Sequence, residues 1–211
     1  SHSFVCYTSA PNGNTEVYTY NDSSTSNFIV NTTAAMFAPL TENFEGTVFP
    51  PPGWSINSNS IYQWGQTSIA PFSGTSSVVK GNYNDGNIGT HYDLDLPMIN
   101  ITGLTDPALG FEYAYTYYPG FYDSLQVLIS SDCGVSWQSL FYKGGNTLRT
   151  APMTTDPFYP TSTQWRHETI SLSAYTGEVL IRFRSICGFG NNLFIDEVNI
   201  DQSTGIGTIA F

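Results

Sequence analysis

Residues 191–200 read NNLFIDEVNI, a stretch with the features of a late β-strand. Leu193 and Ile195 would share one face of such a strand, and Val198 and Ile200 supply further apolar side chains, but the period-2 spacing breaks at Asp196 and Glu197. Two adjacent carboxylates at this point indicate either a β-bulge or a bound positive group. The stretch is therefore both a predicted strand and a candidate cation site.

The remaining sequence predicts an all-β chain. The 211 residues include 14 Tyr, 14 Phe and 4 Trp, which suit pleated sheets, and 19 Gly and 12 Pro, which suit tight turns. About ten short alternating segments follow at even spacing, and none keeps a helical period over three turns. This pattern favours a two-sheet β-sandwich of the jelly-roll type. Segments 109–117, 123–130 and 134–143 are predicted to form a three-strand meander within it.

Three regions can be separated along the chain. Residues 1–38 are predicted to be a small N-terminal β extension or the tail of a preceding domain. Residues 39–203 form the predicted sandwich, and residues 204–211 are interpreted as a linker stub. No run of about 18 apolar residues occurs, so the sequence predicts no transmembrane helix.

The charge of the chain argues against one broad class of partner. With 17 acidic and 6 basic residues the formal net charge is −11, and no basic stripe is present, so we expect no nucleic-acid binding. Only 11% of the residues are charged, whereas Ser, Thr and Asn are abundant, and this composition favours an extracellular protein. The acidity suits divalent cations, although solubility alone accounts for most of the carboxylates.

The cysteines Cys6, Cys133 and Cys187 form no C-x-x-C motif. Cys133 and Cys187 each lie in a glycine-containing turn at the end of a predicted strand. We expect that these two could pair as a disulfide in an oxidising compartment. Cys6 would then be unpaired, or would pair outside this segment.

The sequence contains no catalytic motif that we recognise. The three histidines are scattered, and neither H-E-x-x-H nor G-x-S-x-G occurs. Cys133 resembles a nucleophile in its turn, but the local sequence places no histidine near it. On a strand, Asp196 and Glu197 are expected to point to opposite faces, and Asp93 and Asp95 share one face without implying a cleft, so neither pair suggests a glycosidase. We therefore expect a protein that is not an enzyme.

Aromatic residues cluster around the turn at residues 117–122. The alternating aromatic side chains that precede it, at odd positions from 111 to 117, are predicted to face the core. Tyr118, Phe121 and Tyr122 are freer to form a contact surface. Because exposed aromatic rings beside Asn and Asp can stack on sugars, these three are candidate ligand-binding residues.

Several blocks of sequence, taken in order, resemble a known family. They are NFE at 43–45 with FPPPGW at 49–54, DSLQV at 123–127 with SDCGVSW at 131–137, WR at 165–166 with LSAY at 172–175, and GNNLFID at 190–196. Residues 40–202 thereby resemble the cleaved-adhesin or MAM-like jelly-roll modules of secreted Bacteroidetes proteins. The TGI at 204–206 resembles the junction before the C-terminal sorting domain of type IX secretion substrates.

The resemblance implies a non-catalytic module that often carries a structural calcium ion. The family site draws an acidic residue from the first strand and an aspartate from the last, which correspond here to Glu45 and Asp196. The first and last strands of a jelly roll lie side by side, so these carboxylates could meet. Asn82, Asp93 and backbone carbonyls could complete a shell of about six to eight oxygens. Alternatively, the two carboxylates cap a turn or pair with arginine side chains.

Together these features predict a secreted, extracellular or cell-surface module for adhesion or carbohydrate binding, stabilised by calcium. Its partner would be a glycan or a host or cell-surface protein, and the type IX secretion machinery would act on the full-length protein. The alternative is an ancillary structural domain of a larger secreted peptidase or of another type IX cargo protein.

Overall fold

The structure, a computed structural model, describes residues 2–7, 23–28, 34–58 and 60–203. The chain divides into two compact units, Ser1–Ala34 and Ala35–Phe211. In the first unit, strands β1 (His2–Tyr7) and β2 (Ser23–Phe28) pair in the antiparallel direction. Residues 8–22 and 29–33 of the predicted N-terminal β extension lie outside the described residues.

The described part of the second unit consists of thirteen strands and two short 3-10 turns. The strands are β3 (Met36–Phe37), β4 (Leu40–Glu42), β5 (Ser55–Ile56), β6 (Trp64–Thr67), β7 (Ser77–Lys80), β8 (His91–Asp95), β9 (Ile99–Asn100), β10 (Pro107–Tyr115), β11 (Ser124–Ser130), β12 (Gln138–Gly144), β13 (Arg166–Ser171), β14 (Glu178–Ile186) and β15 (Leu193–Gln202). The 3-10 turns are Asn82–Asn84 and Gly145–Thr147. None of the described helical segments has the length and apolar character needed to cross a membrane.

The thirteen strands form two sheets. The first sheet has the order β13-β10-β15-β7-β6, and β4 also pairs with β15. The second sheet has the order β12-β11-β14-β8-β5, and β9 and β3 extend it beside β14. The prediction of an all-β, two-sheet sandwich is therefore confirmed.

The core between the sheets is strongly aromatic. Phe111, Tyr113 and Tyr115 of β10 are fully buried. The ring of Phe111 meets that of Phe183 on β14 edge to face, with centroids 5.0 Å apart. This geometry places the positive edge of one ring against the negative face of the other. The predicted inward direction of the aromatic side chains of β10 is confirmed.

The connection after β10 runs between the two sheets, so the predicted three-strand meander is wrong. β10 pairs with β13 and β15, whereas β11 pairs with β12 and β14. Sequence adjacency favours a hairpin, but segment 116–123 is long enough to cross the distance of about 10 Å between packed sheets. Only β11 and β12 keep the predicted pairing. The crossing places the aromatic turn at one end of the sandwich.

Strand β15 contains the β-bulge that its sequence indicates. Its pairing with β10 shifts by one residue between Asp196 and Asn199, and Glu197 adopts a φ of 48°. Ile195 and Val198 are consequently both buried in the core although they are three positions apart. The expectation that Asp196 and Glu197 point to opposite faces is wrong, because the extra residue resets the alternation between them.

Two further contacts position the candidate sites. Strand β4 pairs with β15, with Leu40 opposite Ile200, so an early strand and the last strand lie side by side as a jelly roll requires. The long segment after β12 covers the outer face of the first sheet, where Phe158 packs against Phe194 with ring centroids 6.2 Å apart. Its apolar residues therefore pack on the body of the protein.

Candidate functional sites

An aromatic cavity of about 470 Å³ lies at one end of the sandwich, where three connecting segments meet. These segments follow β7, β10 and β14. The ends of β7 and β10 lie together because both strands pair with the start of β15, and the segment after β14 leads directly into β15. The lining residues are Tyr83, Asn84, Tyr118, Phe121, Phe189 and Gly190. Its volume lies within the range of about 300–1,000 Å³ that is usual for small-molecule sites.

The four rings are mutually tilted. The ring centroids of Tyr83 and Tyr118 are 6.4 Å apart at 55°, and those of Tyr118 and Phe121 are 6.0 Å apart at 62°. Those of Phe121 and Phe189 are 5.3 Å apart at 80°. The rings therefore form a cup, and Phe121 and Phe189 expose 37% and 39% of their surface to solvent. Such a cup offers apolar faces to a ring-shaped ligand, while Asn84 supplies an amide donor and acceptor.

The local sequence explains how two of these rings come together. The Phe121 amide donates to the Tyr118 carbonyl at 2.9 Å, which closes a turn around Pro119 and Gly120. Gly120 has a φ of 90°, the left-handed region that glycine adopts without steric cost. Pro119 has a φ fixed by its ring, so the Pro119-Gly120 pair brings the side chains of Tyr118 and Phe121 to one side of the turn.

The structure places two of the three predicted ligand-binding residues on the cavity. Tyr118 and Phe121 line it, whereas Tyr122 packs against Tyr117 with ring centroids 4.9 Å apart. Sequence reasoning missed Tyr83 and Phe189. An aromatic residue beside asparagine is a signal that could have found Tyr83, which lies between two asparagines, whereas Phe189 lies between two glycines and carries no such signal.

A second, polar site surrounds the loop at residues 72–76. The Glu45 carboxylate accepts the backbone N–H groups of the last two loop residues, each at 2.8 Å. The Asp196 carboxylate accepts those of the first two loop residues, at 3.0 and 3.3 Å. Glu197 accepts the hydroxyl group of Ser73. The structure thus brings the predicted pair Glu45 and Asp196 to opposite ends of one short loop.

Asp196 is a buried carboxylate without a cationic partner among the described residues. Burial raises its pKa from 3.8 to about 6, against the opposing effect of the backbone N–H groups that it accepts. The pKa of Glu45 is lowered, chiefly because the Thr75 hydroxyl donates to its charged form. Asp196 and Glu45 thus cap the two ends of the loop, as the alternative to a metal site expects. Their carboxylates are also hard oxygen donors of the kind that Ca²⁺ takes. In the described part of the chain no three His, Cys, Asp or Glu side chains group around a metal position, so a calcium ion would also need carbonyl or water oxygens.

The two other predicted calcium ligands lie elsewhere. The Asn82 side-chain oxygen accepts a hydrogen bond from the buried Lys80 ammonium group at 2.9 Å. Asp93, on the second sheet, binds the Arg184 guanidinium group through both oxygens at 2.7 and 2.8 Å. Each oxygen already faces a positive charge, which would repel a metal ion. Asn82 and Asp93 are therefore removed from the predicted ligand set.

The predicted disulfide between Cys133 and Cys187 is wrong, and both thiols are free. β11 and β14 run antiparallel, with Ser130 opposite Leu180, so Cys133 lies beside the start of β14 and Cys187 beyond its end. Seven residues of strand span about 23 Å, whereas a disulfide requires Cα atoms within about 7 Å. The side chain of Cys6 lies outside the described residues.

Known proteins resemble this chain in structure. No protein-family model matches the sequence, and no curated protein matches it. The K3 cleaved adhesin domain of Lys-gingipain from Porphyromonas gingivalis is similar over 78% of this chain and 99% of that chain, with 19% identity and a TM-score of 0.56. The second unit has the fold of the cleaved adhesin domains. The fold that the sequence resemblance implied is thereby confirmed.

The same fold occurs in carbohydrate-binding modules. The module CBM27-1 of Caldicellulosiruptor saccharolyticus, solved in complex with mannohexaose, is similar over 78% of this chain and 97% of that chain, with 14% identity and a TM-score of 0.53. A xylan-binding domain from Paenibacillus barcinonensis is similar over 80% of this chain and 97% of that chain, with 12% identity and a TM-score of 0.50. At these identities the likeness establishes the fold alone.

Proposed function

We propose that this chain is a non-catalytic module that binds a glycan in its aromatic cavity. The observation that carries the proposal is the cup of four tilted aromatic rings around about 470 Å³, with one amide side chain at its edge. Aromatic rings pack against the C–H faces of sugars, and an amide can bind their hydroxyl groups. The occurrence of this fold in a module complexed with mannohexaose and in a xylan-binding domain supports the proposal.

The charge distribution favours a neutral oligosaccharide. The residues that line the cavity carry no charged side chain, and the chain has a formal net charge of −11. An anionic glycan would meet long-range repulsion without a basic side chain in the cavity to bind it. We therefore expect neutral sugars to bind in preference to sialylated or sulfated ones.

A glycan array followed by calorimetric titration tests this function. Phe121→Ala and Tyr118→Ala should each weaken binding at least tenfold, because each change removes a ring from the cavity wall. Tyr142→Ala is the matched control, because Tyr142 is an aromatic residue on β12 that is 60% exposed and does not line the cavity. If no glycan binds the wild-type chain, the binding function is refuted, and the ancillary structural role becomes the better explanation.

A calcium ion held by Glu45 and Asp196 is part of the proposal. It would neutralise the buried Asp196 carboxylate and tie the loop at residues 72–76 to β15. A ligand that binds only the folded state stabilises it by about 2.7 kcal/mol at a free concentration of 100 times its Kd. Melting curves in calcium and in EDTA should therefore differ by several degrees, and Glu45→Gln should reduce the difference. Identical curves would remove calcium from the proposal.

We also place the module outside the cell, secreted or at the cell surface. The low content of charged residues and the fold shared with the cleaved adhesin domain of Lys-gingipain support this location. An antibody against the second unit should label intact producing cells or the culture medium. Labelling of the cells only after permeabilisation would contradict an extracellular location.

A further inference from the structure

One buried carboxylate connects two walls of the aromatic cavity. Asp123 follows Phe121 by two residues and is fully buried. Its two oxygens accept three backbone N–H groups of the segment 188–191, at distances between 2.7 and 3.2 Å. That segment carries Phe189, whose ring meets the ring of Phe121. The relative position of these two rings therefore depends on one side chain that does not itself line the cavity.

The segment around Phe189 is adapted to this close approach. A Cβ atom on Gly190 would lie 2.3 Å from the Asp123 carboxylate, and one on Gly188 would lie 1.8 Å from the Tyr122 carbonyl oxygen. Both distances are far shorter than a van der Waals contact, so only glycine fits at these two positions without displacement. Phe189 itself has a φ of 59°, which is costly for an aromatic residue and persists only where surrounding contacts hold it.

The carboxylate is in turn anchored to the rigid first sheet. The Tyr115 hydroxyl accepts the Asp123 backbone N–H at 2.8 Å and donates to the Asp123 carboxylate at 3.1 Å. Tyr115 is fully buried in β10. A site built on a sheet through buried hydrogen bonds keeps its geometry better than one carried by loops alone.

The opposite wall is held by a buried ion pair. The Lys80 ammonium group donates to Asn82 at 2.9 Å and to Asp85 at 2.8 Å, and all three side chains are fully buried. These two acceptors lie on either side of Tyr83 and Asn84, so Lys80 fixes the turn that carries both lining residues. The Phe189 segment, residues 188–191, has no contact with this ion pair among those described, and its backbone is held by Asp123 instead.

We propose that Asp123 is the positioning residue of the cavity. It binds no ligand itself, but fixes Phe189 against Phe121 before a ligand arrives. Preorganisation of this kind raises affinity because the ordering cost is met during folding. The inference rests on the proposed function for its consequence, while its structural content can be measured without any ligand.

Hydrogen exchange followed by mass spectrometry tests the structural content. Asp123→Asn replaces one acceptor oxygen with an NH2 donor that would face a backbone N–H group. We expect exchange in segment 187–191 to accelerate at least tenfold while β11 and β14 keep their protection. Asp132→Asn is the matched control, because Asp132 also accepts a backbone N–H, that of Ser136 at 2.9 Å, but in the turn between β11 and β12. Unchanged exchange in segment 187–191 of the Asp123 variant would overturn the proposal.

Tyr115→Phe covers the case in which Asp123→Asn does not fold. This change keeps the carboxylate and removes only the hydroxyl that orients it, so exchange in segment 187–191 should rise by a smaller factor. No rise in this variant, when the Asp123 variant is unfolded, would count against positioning.

A calorimetric titration with the neutral oligosaccharide that the array identifies tests whether Asp123 raises the affinity for the ligand. Asp123→Asn should weaken its binding at least tenfold at a temperature where the variant is folded, whereas Asp132→Asn should leave the affinity unchanged. Unchanged affinity with a loosened segment would show that the segment is not part of the binding geometry, which refutes the positioning role. If the array identifies no glycan, the proposed function fails, and the exchange measurement alone still decides whether Asp123 holds the segment.

Discussion

Replacement of Asp196 by asparagine should change how the stability of this protein depends on pH. The wild-type carboxylate is fully buried without a cationic partner among the described residues, and burial raises its pKa from 3.8 to about 6. In EDTA, the folded state therefore binds more protons than the unfolded state between about pH 4 and pH 6. Under this condition the free energy of unfolding falls as the pH rises.

The magnitude follows from the two pKa values. A difference between 3.8 and about 6 corresponds to about 3 kcal/mol, at about 1.4 kcal/mol for each tenfold change in proton affinity. Asp196→Asn removes this contribution, but its NH2 group would face the Glu197 N–H group that the carboxylate accepts at 2.8 Å. The lost hydrogen bond costs about 1 kcal/mol at every pH. In EDTA the variant should therefore be less stable than wild type at pH 4 and more stable at pH 7.

Urea unfolding followed by tryptophan fluorescence at pH 4, 5, 6 and 7 measures the difference between the two proteins. Asp132→Asn serves as the control. Asp132 is an exposed carboxylate whose pKa is lowered to about 2 by hydrogen bonds from Ser136. The stability that it contributes is therefore constant between pH 4 and pH 7 and is lost only at lower pH. If the free energy of unfolding of the wild type and that of Asp196→Asn differ by the same amount from pH 4 to pH 7, the reasoning is refuted. Repeating the series in calcium should reverse the order at pH 7, because the ion would bind only the wild-type carboxylate.

Three further predictions concern separate parts of the structure. Lys80→Met leaves the buried Asp85 carboxylate without its cation and should lower the free energy of unfolding, measured by urea titration, by about 3–5 kcal/mol. A loss below about 1 kcal/mol would contradict a fully buried ion pair. Gly190→Ala should lower the melting temperature by several degrees because its Cβ would meet a carboxylate oxygen at 2.3 Å, whereas Gly86→Ala, which has open space, should have little effect. Iodoacetamide at pH 8 should label the exposed Cys133 much faster than the buried Cys187, because burial raises the pKa of the Cys187 thiol to about 11. Peptide mass spectrometry measures both rates, and equal rates would contradict the burial of Cys187.

The fold class could be predicted because it depends on local pattern. The alternating aromatic residues of β10 have one face to bury, and the structure buries Phe111, Tyr113 and Tyr115 between the sheets. The bulge in β15 was also visible, because Asp196 and Glu197 interrupt an otherwise apolar alternation. Strand partners were not visible, since the same eight-residue connection, 116–123, serves a hairpin or a crossing between sheets.

The candidate sites were predictable only in part. The turn chemistry of Pro119 and Gly120 is local, and it pointed to Tyr118 and Phe121. Phe189 lies about 70 residues further along the chain, and no local pattern joins it to that turn. The assignment of Asp93 to a calcium site failed for the same reason, because its arginine partner belongs to another strand of the second sheet.

The amino-acid sequence by itself determined the β-rich composition, the aromatic inner face of β10, the turns and the acidic, weakly charged surface, because each depends on residue type and near neighbours. The tertiary structure alone decided which strands pair, which carboxylates meet a cation and which reach the same loop. It also decided that the free cysteines lie at opposite ends of a strand pair, and that Asp123 reaches the segment carrying Phe189. These outcomes depend on long-range packing, in which residues far apart in the chain are brought within hydrogen-bonding distance.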